Sequence, residues 1–220
     1  MRVELLLQRW FYISVFVPLF IFYPLLAGIS RYRRLQRPAI ILLGYVLTGG
    51  ITNFIASFLA KQHTNNLPLL HVYTAAELLL LGWFYQKVIP KGIVTRLLPI
   101  VMVLFIGFCA FNAFFLQSIY AYNTNARVVG CVLLIFLAVY CFVKNLGYAA
   151  LQNALLDPVF WANTGLLLYF SGSLFLFAFA AYTAGNRQLD ILAWKLHATF
   201  VLIMYLLVGT GFLLHKKHEQ

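Results

Sequence analysis

The stretch LPLLHVYTAAELLLLGWFY, residues 67–85, decides what kind of protein this is. It opens at Pro68, contains no Lys or Arg, and carries a single carboxylate, Glu77. About twenty such residues, rising about 1.5 Å each as a helix, match the roughly 30 Å hydrocarbon thickness of a bilayer. The same reading extends in both directions along the chain. Segments near 10–28, 39–60, 68–86, 97–116, 128–146, 159–182 and 191–214 all have this character, and no connection between them is long enough to fold as a soluble domain. The expected fold is all-α: a polytopic membrane protein forming one seven-helix transmembrane bundle over residues 1–220.

Composition excludes the alternatives. Of 220 residues 63% are hydrophobic and only 10% charged, so a water-facing surface cannot be built from them. The formal charge of +11 in such a chain points to orientation and anionic lipid headgroups as partners, and not to nucleic acid. Cys109, Cys131 and Cys141 lie inside apolar segments without CxxC spacing and read as small buried hydrophobes. The apolar run from Phe11 to Ala27 is longer than a usual signal core and is followed by Arg31, Arg33, Arg34 and Arg37, so it reads as a retained first helix.

Punctuation supports the boundaries. Pro38, Pro68 and Pro158 sit where a first helical turn tolerates proline, with Asp157 as the expected cap ahead of Pro158 and Asp190 ahead of the last helix. Pro18 and Pro24 fall inside the first span and should kink it. One set of flanks holds Arg31, Arg33, Arg34, Arg37, Lys87, Lys91, Arg96, Lys144, Lys216 and Lys217; the other holds Arg2, Arg9, Lys61, Arg127, Arg187 and Lys195. The richer set marks the cytoplasmic side, so the N-terminus is expected outside and the C-terminus in the cytoplasm.

Polar groups inside a membrane are costly, so their depth carries the functional information. Glu77 lies about nine residues, roughly 13 Å, below Pro68, where a carboxylate must be protonated or paired. Tyr73 and Thr74 lie one turn outward on the same face. His71 is six positions away and too far around the helix to share a metal with it. His197 on the seventh helix lies at about the level of Glu77, which makes Glu77 with His197 the preferred pair if the third and seventh helices are neighbours. Asn53 and Asn112 join this layer in the outer third. The candidate ligand-binding set is therefore Glu77, His197, Tyr73, Thr74, His71, Asn53 and Asn112, with Arg31, Arg33, Arg34 and Arg37 as lipid or partner contacts.

Each group also has a plain structural reading. Glu77 serves equally as a hydrogen-bonding link between helices, the histidines as packed core residues, and Asn53, Asn112 and Asn163 as interhelical ties. Gly107, Ala110 and Gly172 permit close packing within one copy or between copies, which keeps a homo-oligomer open. The chain has no Gly-rich phosphate loop, HExxH, GxSxG or His-rich pattern, so neither a cofactor nor a metal is expected and enzymatic chemistry has no motif behind it.

The segments SRYRRLQR after the first span, NNLPLLHVYTAAELLLLGWFYQ in the third and FWANTGLLLYFSGSLFLFAF in the sixth resemble uncharacterised bacterial seven-helix integral membrane proteins. The shared features are a basic first inner loop, a His-x-Tyr-Thr-x-x-Glu segment and a Tyr-Phe-Ser-Gly segment. That resemblance implies a bacterial inner (cytoplasmic) membrane and a signalling or envelope role, without an established activity. The leading expectation is a sensor or receptor-like subunit that binds a small ligand or lipid from the outer side and signals to a separate cytoplasmic or membrane protein. The alternative is a small-solute or proton-coupled transporter using Glu77, and the third a membrane-embedded lipid enzyme.

Overall fold

The computed structural model describes residues 11–145, 154–179 and 186–215. Arg2, Arg9, Lys216 and Lys217 of the charge count, and positions 10, 146 and 180–182 at the expected helix ends, lie outside these. Seven helices are long and apolar enough to cross a membrane: α1 Tyr12–Ser30, α2 Arg37–Lys61, α3 Leu67–Val88, α4 Ile93–Leu116, α5 Thr124–Asn145, α6 Pro158–Ala178 and α7 Arg187–Leu213. No strand occurs among the described residues. Outward-facing Phe54, Val72, Val103 and Phe114 are exposed, which only an apolar solvent tolerates on every side, so the architecture is that of an integral membrane protein.

The helix ends follow their sequence signals with one correction. Asp157 accepts from the Val159 amide at 2.9 Å and caps α6. At α7 the cap is Asn186, accepting from Gln188 and Leu189 at 3.0 and 3.3 Å; Asp190 sits instead in the first turn, where its charge favours the helix dipole. The helix starts earlier because the Asn amide reaches two free amides at once.

α1 is broken as its prolines require. Residues Tyr12–Phe16 form a π-helical turn just ahead of Pro18, and a turn at Phe20–Ile21 precedes the regular helix Phe22–Ser30. Pro24 has no amide proton for the Phe20 carbonyl, which accepts from the Tyr23 amide at 3.0 Å instead.

Helix neighbours define a ring. α1 packs on α2, α2 on α3, α3 on α5, α5 on α6, α6 on α7 and α7 back on α1, while α4 lies outside against α3 and α5. Small residues bring α6 and α7 together: a Cβ on Gly211 would lie 2.8 Å from the Pro158 carbonyl, and one on Gly165 3.3 Å from the Met204 backbone. At the end where α2 and α3 begin and finish respectively, the ring is filled by Leu42, Leu81, Phe84, Tyr85, Leu166, Phe170, Val208 and Phe212, all buried. At the other end, where α1, α3, α5 and α7 begin, it is hollow.

Candidate functional site

The hollow is a cavity of about 450 Å³ walled by the six ring helices. It runs along α2 from Ala60 to Tyr45, roughly 22 Å at helical rise. Its volume falls in the range of small-molecule sites. Asn66, Tyr122 and Asn123 line its end nearest the starts of α3 and α5, Asn53 and Thr74 its sides, and Tyr45, Tyr169, Met204 and Tyr205 the end nearest the packed core.

A charged network closes one wall. Arg127, one turn into α5, sends its side chain inward along the cavity, and its Nη1 pairs with Glu77 Oε2 at the middle of α3. Nη2 of the same guanidinium donates to the Tyr169 hydroxyl at 2.6 Å. The second carboxylate oxygen accepts from the Tyr45 hydroxyl at 3.2 Å, and Tyr73 brings another hydroxyl beside it. The guanidinium also lies over the rings of Tyr169 and Phe177, 5.9 and 5.5 Å from their centroids. Glu77 and Arg127 are 2% and 7% exposed, so this is a buried pair in which each charge depends on the other. Four helices, α2, α3, α5 and α6, meet in it. One donor is left over: Arg127 Nε is buried and has no hydrogen-bond acceptor.

This corrects the pairing read from the sequence. His197 is not the partner of Glu77; its Nδ1 meets the Ser173 hydroxyl at 3.3 Å, and its ring sits among Tyr169, Phe177 and Trp194 at 5.6, 6.1 and 5.8 Å. The reason is topological. α7 packs on α6 and α1, whereas α3 packs on α2, α4 and α5, so the cation available to Glu77 comes from α5.

The remaining candidates divide. Tyr73, Thr74, Asn53 and His197 border the cavity together with Arg127. His71 is buried and its Nε2 meets the Ala121 carbonyl at 3.2 Å, tying α3 to the loop before α5. Asn112 is fully buried away from the cavity lining, donating to Asn123 Oδ1 at 3.2 Å and accepting from Asn125 at 3.0 Å, so it clamps the α4–α5 connection. Asn112 is therefore not among the residues that border this cavity, and α4 is the one helix outside the ring. Arg33, Arg34 and Arg37 are exposed in and after the 3₁₀ turn Tyr32–Arg34, with Arg31 half-buried, at the opposite end of the ring from the cavity. Deeper still, Tyr85 donates to Asn163 Oδ1 at 2.9 Å and Asn163 donates to the Ala138 carbonyl at 3.0 Å, sealing the ring below the cavity with satisfied groups.

Reasoning from the sequence missed Arg127, Tyr45 and Tyr169. Arg127 was assigned to the flank because it stands near a helix start. The signal that finds it is helical phase: it shares a face with Cys131, Leu134, Ala138 and Cys141, and that whole face is buried. Among the described residues no group of His, Cys, Asp and Glu is arranged to hold a metal. No family model, curated protein or solved structure matches the chain.

Proposed function

We propose that the chain is a membrane sensor or receptor-like subunit that takes a small ligand, or part of a lipid, from outside the cell into the cavity and passes its occupancy to a separate protein. One observation carries this reading: the cavity lies toward one end of the ring, and the other end is packed with apolar and hydrogen-bonded side chains. A ligand admitted there has a site and no continuing path. The basic flanks at the packed end, Arg31, Arg33, Arg34, Arg37, Lys87, Lys91 and Arg96, support placing that end in the cytoplasm, where the arginines would meet anionic headgroups or a partner. Together with the quoted resemblance this favours a bacterial inner membrane.

The coupling follows from the network. A ligand touching Arg127, Tyr45 or Tyr169 acts on α5, α2 and α6 together, and a small shift in any of them moves helix ends at the packed side. Reading of the state by a separate chain is supported by the connections between the helices, which are too short to fold as a soluble domain.

A transporter using Glu77 is the second reading, and one observation favours it. α1 is discontinuous, and Ile13, Ser14, Val17 and Pro18 from its broken half line the cavity. Broken helices beside a midplane site are a transporter feature. Liposome reconstitution separates the two. A ligand that raises thermal stability without crossing the membrane, and loses its effect in Ala198→Trp, which fills the cavity, supports the receptor. Solute movement abolished by Glu77→Gln replaces it with the transporter.

A further inference from the structure

We infer that the occupant of this cavity is an uncharged amphiphile that enters sideways from the lipid, between α1 and α2, and places an uncharged polar head beside the Arg127–Glu77 pair. The inference rests on the reading of the cavity as a ligand site and specifies its ligand.

The side opening follows from how α1 and α2 meet. Ile21 and Gly50 are in tight register, since a Cβ on Gly50 would lie 2.9 Å from the Ile21 side chain. Beyond that level α1 turns to α7, where Tyr12 and Thr199 share a hydrogen bond of 2.9 Å, while α2 stays with α3 through the Asn66 side chain, which donates to the Ala56 carbonyl at 3.0 Å. Ser14 on α1 and Asn53 and Ser57 on α2 are all exposed, and all border the cavity. Ser57 donates to Asn53 Oδ1 at 3.3 Å, leaving the amide NH₂ free for another partner. Asn53 lies about 12 Å from the end of its helix, a depth at which an exposed amide facing acyl chains is costly. A polar rim at that depth suits the passage of a polar head whose tail remains in lipid.

The interior sets the head's charge. Arg127 is already neutralised by Glu77, so an anionic head would face the carboxylate and a cationic head the guanidinium, each leaving a net charge in a low-dielectric wall. An uncharged head brings no net charge beside the pair and disturbs neither partner. The walls suit the rest: Tyr73, Tyr122, Phe177, Trp194 and Tyr205 give aromatic surface, with Thr74, Asn123 and His197 as polar points among it.

The test uses the full chain in phosphatidylcholine nanodiscs with three probes of equal tail length: monooleoylglycerol, oleyl phosphate and oleylamine. Monooleoylglycerol should raise the melting temperature, with apparent affinity about tenfold or more above the charged probes. Ser57→Trp, an exposed position that narrows the opening, should slow the effect or weaken it about tenfold or more. Preference for either charged probe, or an unchanged response in Ser57→Trp, overturns the inference. Stabilisation by a water-soluble compound alone, blocked by Ala198→Trp, also overturns it while leaving the cavity a ligand site. If no probe acts and cavity positions resist chemical labelling, both readings fall.

Discussion

Glu77 and Arg127 stand fifty positions apart on α3 and α5 and form the one ion pair among the described residues, with Tyr45 hydrogen-bonded to the carboxylate and Tyr169 to the guanidinium. The pair works as a unit because each member alone is an uncompensated charge in the membrane interior. Neutralising one member, as in Glu77→Gln or Arg127→Gln, should destabilise the protein by about 3–5 kcal/mol. The double variant Glu77→Gln with Arg127→Gln should recover a large part of that loss. A double-mutant cycle on unfolding in mild detergent gives the coupling, and a coupling near zero would mean that the two charges are independently solvated through the cavity.

The seal beneath the cavity makes a second prediction. Asn163 holds the Tyr85 hydroxyl and the Ala138 carbonyl, and all three groups lie among buried Leu81, Leu166 and Phe170. Asn163→Leu should cost about 1–3 kcal/mol, because it strands the tyrosine hydroxyl. Adding Tyr85→Phe should give back part of this by removing the stranded group. Thermal unfolding of the single and double variants checks the sign. A Tyr85→Phe change that worsens Asn163→Leu would contradict the hydrogen bond.

Glycine positions behave differently according to what faces them. Gly211 opposes the Pro158 carbonyl, a backbone atom that cannot move aside, so Gly211→Ala should push α7 from α6 and destabilise the bundle. Gly107 on α4 is exposed with nothing near its missing Cβ, and Gly107→Ala should stabilise the helix by roughly 0.5–1 kcal/mol. Melting temperatures of the two variants should move in opposite directions. A destabilised Gly107→Ala in the membrane, with stability intact in detergent, would instead reveal a second copy packed on α4.

The seven spans were legible because hydrocarbon thickness leaves little freedom in length, and Asp157, Pro38, Pro68 and Pro158 mark ends by local chemistry alone. Glu77, Tyr73, Thr74, Asn53 and His197 were legible by depth, since any polar group there must find a partner. The identity of the partner was not. It depends on which helices touch, and nothing local to Glu77 or His197 says that α3 adjoins α5 and that α7 adjoins α6. Arg127 was also masked by its position near a helix start, where an arginine ordinarily turns toward water. Its inward course is set by the buried face it shares with Cys131 and Leu134, and by a carboxylate on another helix. Asn112 shows the converse: its depth is correct, yet it serves the α4–α5 connection because α4 stands outside the ring.

Accessibility tests the cavity and the orientation together. Ser14 and Ala198 border the cavity, whereas Asn163 is sealed below it. In a background with the native Cys109, Cys131 and Cys141 replaced by alanine, Ser14→Cys and Ala198→Cys should react with a membrane-impermeant maleimide added outside intact cells or right-side-out vesicles. Asn163→Cys should stay unreacted from either side, because the packed residues above and below it exclude the reagent. Monooleoylglycerol should slow labelling at Ala198→Cys, which lies deeper, more than at Arg37→Cys, which is exposed at the opposite end and should react only from inside. Labelling of Ser14→Cys exclusively from the inside would invert the orientation that the basic flanks suggest, and with it the side from which a ligand reaches Arg127.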